Sequence, residues 1–336
     1  MSTVTRVEGP VGARPDLIRI GTRGSALAIS QTTTVAEAIA AATGIDVVLV
    51  TVKTEGDVSR QSLSQLGGTG VFVSALRDAL IGDRCDIAVH SLKDLPTAPC
   101  PGISLGAIPV RADARDALCA RDGKTLADLP HGASVGTGSP RRAAQLLCAR
   151  PDLNVRDLRG NVDTRLRRVE NDLDAVVLAA AGLDRIGRSS AITERFALDR
   201  TPGAPGQGAL ALEVRESDLA REPYATAFAA LNDSEARASA LAERELLAAL
   251  EAGCAAPVGA TARIAGDRLL LSATVYRLDG AESLTASADC QLPAGADTAE
   301  TGGTASDAAA VDLGRRVAFD LLERGAASLA PLGSAR

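Results

Sequence analysis

His90, Ser91, Lys93 and Asp94 put four polar groups into five positions, between the apolar run Ile87-Ala88-Val89 and Pro96. The run predicts a short buried strand, and Pro96 stops any regular continuation. Open α/β sheets bind ligands beyond the C-terminal ends of their strands, which is where this cluster falls. Asp94 is its one carboxylate, and Lys93 beside it is a compact, point-like cation. Lysine is itself rare here: of 36 Lys and Arg residues, only Lys53, Lys93 and Lys124 are lysines. A surface turn with both charges merely solvated has the same sequence, so these residues alone leave two readings open.

Arginines recur at comparable places. Arg23 lies between a predicted strand over 17–20 and a helix over 26–42 that Ser25 is suited to cap. Glycines and free helix N–H groups make that spot an anion site or an ordinary βα turn with a surface arginine. In Thr137-Gly138-Ser139-Pro140-Arg141-Arg142, Ser139 is a good N-cap and Pro140 fits the first helical position. Two cations in that first turn oppose the helix macrodipole at a cost of about 0.3–1 kcal/mol each, so an anion is expected beside them. Arg159 and Arg165 bracket another strand–glycine–helix junction, and Arg185 follows a strand over 175–179. Arginines at four strand ends describe one cationic cleft in a chain of net charge −6. Guanidinium forks match carboxylates bidentately, so a small polycarboxylate is the natural ligand.

Bulk composition excludes several other functions. At 336 residues, two or three domains with their own cores are expected. No Trp, two Tyr and four Phe leave little for base stacking, and the acidic balance argues against phosphate-backbone binding. Two histidines, His90 and His131, with no HExxH or paired CxxC, predict no metal site. Six scattered cysteines and a polar N-terminus without an apolar signal region place the chain in a reducing cytoplasm. The apolar runs are too short for a membrane span.

The elements that would position the site fall into three blocks. Residues 1–15, broken by Gly9, Pro10, Gly12 and Pro15, read as a disordered leader. An α/β lobe over 16–109 is completed by a return of the chain over 206–231, which a Pro/Gly-rich crossing at 202–208 introduces. A second α/β lobe covers 110–205, and the charged stretch Arg111, Asp113, Arg115, Asp116 between them suits a hinge. A C-terminal block over 232–336 holds an amphipathic helix over 234–250, strands over 258–264, 268–276 and 283–291, a flexible loop over 293–309 and a closing helix over 311–324. The fold class is thus α/β, two lobes resembling a two-lobed binding protein with ligand in an interlobe cleft, plus a small α+β domain with an antiparallel sheet. Cys254 sits on a glycine-flanked turn after the amphipathic helix.

Taken together, Thr22-Arg23-Gly24-Ser25, His90 to Asp94, Gly136 to Arg142, Leu158 to Arg165, Gly206-Gln207-Gly208-Ala209 and Gly253-Cys254 occur in one order that closely resembles the hydroxymethylbilane synthase (porphobilinogen deaminase) family over roughly residues 17–330. The resemblance implies two periplasmic-binding-protein-like lobes and a smaller third domain. It implies a dipyrromethane cofactor in thioether linkage to Cys254, with Ser91, Lys93, Thr137, Ser139, Arg141 and Arg142 as cofactor-binding residues. Arg23, Ser25, Arg159, Arg165 and Arg185 are implied to hold the acetate and propionate groups of porphobilinogen, the small-molecule substrate. Asp94 matches the catalytic aspartate, stabilising cationic pyrrole intermediates and helping proton transfer. The implied reaction adds four porphobilinogens to the cofactor and releases hydroxymethylbilane by hydrolysis, in a cytoplasmic monomer of tetrapyrrole biosynthesis with no nucleic-acid or membrane partner.

Thr69 stands where many members carry lysine, and Gln65 sits in a loop that often carries another, which makes this chain's loop less basic. The alternative reading is a two-lobed solute-binding or sensor protein for a small polycarboxylate. The missing export signal, Asp94 amid cations and Cys254 on a third domain weigh against it.

Overall fold

The computed structural model describes residues 2–52, 70–253, 256–293 and 305–332. The chain forms two units, Met1–Arg111 with Ala209–Arg237, and Ala112–Gly208 with Ala238–Arg336.

The first unit holds strands β1 (Val4–Val7), β2 (Leu17–Thr22), β3 (Asp46–Thr51), β4 (Ile87–Ser91), β5 (Ile103–Ala107) and, from the returning chain, β11 (Leu210–Arg215). Their order is β1-β3-β2-β4-β11-β5. The first four are parallel, and β11 runs antiparallel to both β4 and β5. On one face Ile18, Ile20, Leu49 and Ile87 pack against Val35 and Ile39 of helix α1 (Ala26–Thr43) and Phe228 of α6 (Tyr224–Leu231). On the other, Val52, Cys85 and Ala88 meet Leu76 and Leu80 of α2 (Gly70–Ile81). Cover on both faces explains why these strands are apolar almost throughout.

Arg19 is the exception within β2. Its guanidinium lies 2.7 Å from Asp86 Oδ1 and 2.6 Å from Asp83 Oδ1, and Arg215 reaches the same Asp86 oxygen at 3.1 Å. Burial alone would raise the Asp86 carboxyl, but the hydrogen bonds and charge of Arg19 hold it below the ordinary range. This network fastens the N-terminal end of β4, the end away from Ser91.

The N-terminal leader is not disordered. Val4–Val7 adds a parallel strand to the outer edge of β3, and Thr3 N donates to Asp46 Oδ1 at 2.6 Å. All four chain-breaking residues at 9–15 follow this strand, and the apolar edge of β3 supplies the backbone partners that a local reading does not see.

The second unit contains β6 (Asp116–Ala120), β7 (Ser134–Gly136), β8 (Asn154–Arg156), β9 (Ala175–Ala179) and β10 (Glu194–Arg195), ordered β10-β6-β9-β7-β8. Helices α3 (Pro140–Ala149), α4 (Val162–Asn171) and α5 (Ala180–Arg185) accompany them. The same unit takes in α7 (Ser234–Ala249) from Ala238 onward, an antiparallel sheet of β12 (Val258–Ala265), β13 (Arg268–Tyr276) and β14 (Ser283–Gln291), and α8 (Ala305–Glu323). Leu246 of α7 and Leu250 just after it, Val258 and Leu271 of the sheet, and Leu313 and Val317 of α8 share one core.

The expected loop over 293–309 ends earlier than its composition suggests. Residues 294–304 lie outside the described residues, but α8 already begins at Ala305, with Asp307 and Ala310 buried. Ala310, Leu313 and Val317 continue one apolar stripe, so the small residues at 305–309 are the first turns of a packed helix.

Candidate functional site

In the first unit, β4 ends in a single 3-10 turn over Leu92–Asp94. Leu92 and Leu95 are buried, Leu92 N donates to Ala209 O at 3.0 Å, and Leu95 N closes the turn on Leu92 O at 3.1 Å. The two anchors leave Lys93 and Asp94 side by side and half-buried beyond the strand's C-terminal end. Ser91 Oγ donates to Gln31 Oε1 of α1 at 3.2 Å, which ties the turn to the neighbouring helix. Ser25 caps that helix, its Oγ accepting from Ala28 N at 3.3 Å, so Arg23 and Ser25 stand at the α1 N-terminus as the spacing predicted.

His90 turns the other way. Its ring is buried, with Nε2 3.1 Å from Glu213 Oε2 of β11, and Arg77 Nη2 of α2 grips Oε1 at 2.7 Å. Burial opposes ionisation of Glu213, yet the close approach of His90 and the hydrogen bonds and charge of Arg77 outweigh it and bring the carboxyl to about 2 from an ordinary 4.5. A depressed carboxyl contributes stability that is present above its unfolded value and lost as pH falls toward its folded one, here about 3 kcal/mol. Glu213→Gln is therefore expected to melt well below the native chain at pH 6. The gap should close between pH 4.5 and about 2, and a constant gap across that window would contradict the assignment.

In the second unit Ser139 caps α3 as expected, accepting from Arg142 N at 3.5 Å, and Pro140 takes the first helical position. The anion demanded by Arg141 and Arg142 belongs to the chain itself. Asp116, the first residue of β6 and fully buried, has Oδ2 2.7 Å from Arg141 Nη1 and Oδ1 2.7 Å from Arg142 Nη2. Burial would raise its carboxyl, but the two guanidiniums hold it far below the carboxylate range. Sequence reasoning placed Asp116 in a charged hinge and missed this role. Its partners are 25 and 26 residues away, and no local signal links them.

Three further residues complete the cluster. Gln207 Nε2 donates to Asp116 Oδ1 at 2.9 Å and to Ala114 O at 2.8 Å, while its Oε1 accepts from Arg142 Nη2 at 3.3 Å. Gln145 accepts from Arg141 at 2.8 Å, and its Nε2 lies 3.4 Å from Tyr276 Oη of β13. Arg185 Nη2 donates to Gly208 O at 2.8 Å, and Gly208 is held at φ +88, where a Cβ would lie 2.5 Å from Ala112 O. Only glycine fits such a backbone approach. Arg165 Nε donates to Gly160 O at 2.7 Å, and Arg159, exposed, is 3.2 Å from Asp157. Thr137 is buried, its Oγ1 accepting from Ser139 N at 3.2 Å. Gln65, Thr69 and Cys254 lie outside the described residues.

The thiols differ in reactivity. Burial pushes Cys85 and Cys119 up to about 12 and raises Cys290, so none of the three is a ready nucleophile at neutral pH. Among the described residues no group of three or more His, Cys, Asp or Glu is placed to hold a metal, and no helix is long and apolar enough to cross a membrane.

Known proteins fit this arrangement. The family described as porphobilinogen deaminase, dipyromethane cofactor binding domain, matches residues 18–222, and the porphobilinogen deaminase C-terminal domain matches 238–323. A porphobilinogen deaminase of Leifsonia xyli subsp. xyli is 61% identical over 332 residues, covering 98% of this chain and 99% of that protein. One from Thermobifida fusca is 52% identical over 311 residues, 92% of this chain and 94% of its own. Among solved structures, the methionine binding protein MetQ is similar with a TM-score of 0.44 at 13% identity, over 65% of this chain and 90% of that one. Two family domains in order and a relative alike from end to end place this chain in the porphobilinogen deaminase family.

Proposed function

We propose that the chain joins four porphobilinogen molecules head to tail on a dipyrromethane primer held by Cys254, then releases hydroxymethylbilane by hydrolysis. The observation that carries this reading is the turn after β4, where Leu92 and Leu95 fix an ammonium and a carboxylate together at a strand end. Asp94 offers negative charge to pyrrole nitrogens as ammonia leaves the substrate and positive charge spreads over the ring. It would also take up and return the proton lost when the new carbon–carbon bond is made. Lys93, Arg23 and Ser25 hold acid side chains from the first unit. Arg159, Arg165 and Arg185 do so from the second.

The donor set of the second unit suits the primer. Two guanidiniums share one carboxylate, which leaves the cluster with an excess positive charge, and the buried Arg141 Nε has no hydrogen-bond partner among the described residues. Ser139, Thr137, Arg141 and Arg142 would hold acetate and propionate groups of a dipyrromethane, a role the family resemblance also implies for Ser91 and Lys93. When bound, that group supplies the nucleophilic pyrrole carbon to which the first substrate is added. The thioether role is the one that the family resemblance of Gly253-Cys254 implies for Cys254, and burial makes Cys85 and Cys119 poor candidates for it.

Five free thiols among the described residues support a cytoplasmic setting and the acidic balance speaks against nucleic-acid partners, while a monomer without a membrane partner is what the family resemblance implies. Intact-mass measurement on purified chain, followed by peptide mapping, tests the reading. A mass excess of two pyrrole units on the peptide containing Cys254 is expected. An unmodified, active chain, or an adduct on Cys148, would overturn it.

A further inference from the structure

Glu243 of α7 is fully buried, and its two oxygens accept from main-chain N–H groups of two other segments. Oε2 takes Gly206 N of the 202–208 crossing at 2.7 Å, and Oε1 takes Ala262 N of β12 at 2.7 Å. A second bond, Ala260 N to Gly203 O at 2.9 Å, joins the same strand to the same crossing. In sequence α7 precedes Cys254 and β12 follows it, so one carboxylate joins both flanks of the attachment point to the crossing.

The crossing in turn touches three family arginines. Pro202 O accepts from Arg141 Nη1 at 3.0 Å, Gln207 bonds Arg142 and Asp116, and Gly208 O accepts from Arg185. Neither Gly206 N nor Ala262 N can be left buried without a partner at small cost, and a carboxylate accepts both at once. An amide has only one acceptor oxygen, so Gln would turn an NH2 group against one of the two donors. Aspartate is a methylene too short to span them.

We propose that Glu243 is a positioning residue: it sets the register between the chain flanking Cys254 and the guanidinium cluster, so that a primer attached at Cys254 presents its carboxylates to Arg141 and Arg142. The inference rests on the function proposed above, and the native chain's own adduct on Cys254 tests that function separately.

The experiment uses full-length chain free of adduct, incubated with porphobilinogen, and follows by mass the gain of two pyrrole units. Glu243→Gln and Glu243→Asp are compared with native chain and with Val258→Ala, a cavity in the same core that touches none of these bonds. Thermal melts define a temperature at which all four are folded. At that temperature both Glu243 variants should acquire the primer at least tenfold more slowly than native chain, while Val258→Ala keeps the native rate. Native-like assembly in a folded Glu243→Gln chain, or equal slowing in Val258→Ala, would overturn the positioning role.

Discussion

Asp94→Asn is expected to fold normally and lose at least about 10²-fold in kcat, the scale set by removing one preorganised electrostatic group. The turn that carries Asp94 is held by the buried side chains of Leu92 and Leu95 and by backbone bonds to Ala209 and Leu92, none of which the substitution touches. Stability should therefore change by no more than about 0.5 kcal/mol, as for a half-exposed position. The rate should fall because an amide keeps the size and some hydrogen bonding of the carboxylate but not its charge. Arginines in the proposed role of holding substrate acids would raise the barrier to a pyrrolic cation, and an anion at Asp94 would offset that effect. Asp94→Glu keeps the charge one methylene too far forward and should retain part of the activity. Were Asp94 only a turn residue serving Lys93, both variants would lose stability while the rate per folded molecule stayed constant. Melting curves beside single-turnover rates separate these outcomes, and a near-native rate in Asp94→Asn would remove Asp94 from the mechanism.

What could be read from sequence was what short-range chemistry writes down. Ser25 and Ser139 cap the helices they were expected to cap, and Ile87 to Val89 is a strand. Each signal lies within a few residues of its effect. The fold departs from expectation where the partner is remote in sequence. Val4–Val7 is too short to declare itself a strand without the edge of β3, and Ala305 to Ala309 looks like linker until the stripe through Leu313 and Val317 is placed on the sheet. His90 belongs to the polar cluster by position, yet its partner Glu213 is on a strand that arrives more than a hundred residues later and draws the ring inward. Asp116 shows the same effect most clearly. As a letter in a charged stretch it resembles a solvated hinge residue. As the first residue of β6 it is the counter-charge for two guanidiniums.

That cluster yields an ordering of variants which the charge count alone decides. Arg141, Asp116 and Arg142 are all buried and carry one excess positive charge. Asp116→Asn leaves two guanidiniums facing each other with no anion, an uncompensated buried charge that costs about 3–5 kcal/mol. Arg142→Leu leaves Arg141 and Asp116 as a neutral pair, so the loss is limited to its charge-assisted bonds, about 1.5–3 kcal/mol. Stability should thus fall further for the aspartate than for the arginine. Function should follow the opposite order. The excess charge is what the cluster has to offer a carboxylate, and Arg142→Leu removes it, whereas Asp116→Asn increases it. Among molecules that remain folded, Arg142→Leu should assemble primer poorly or stall, giving a ladder of masses one pyrrole unit apart, and Asp116→Asn should assemble it with little impairment. Denaturant unfolding beside intact-mass profiles tests both orders. If Arg142→Leu destabilises as much as Asp116→Asn and its folded fraction still carries a complete primer, the arginine pair holds the fold together and does not hold the cofactor.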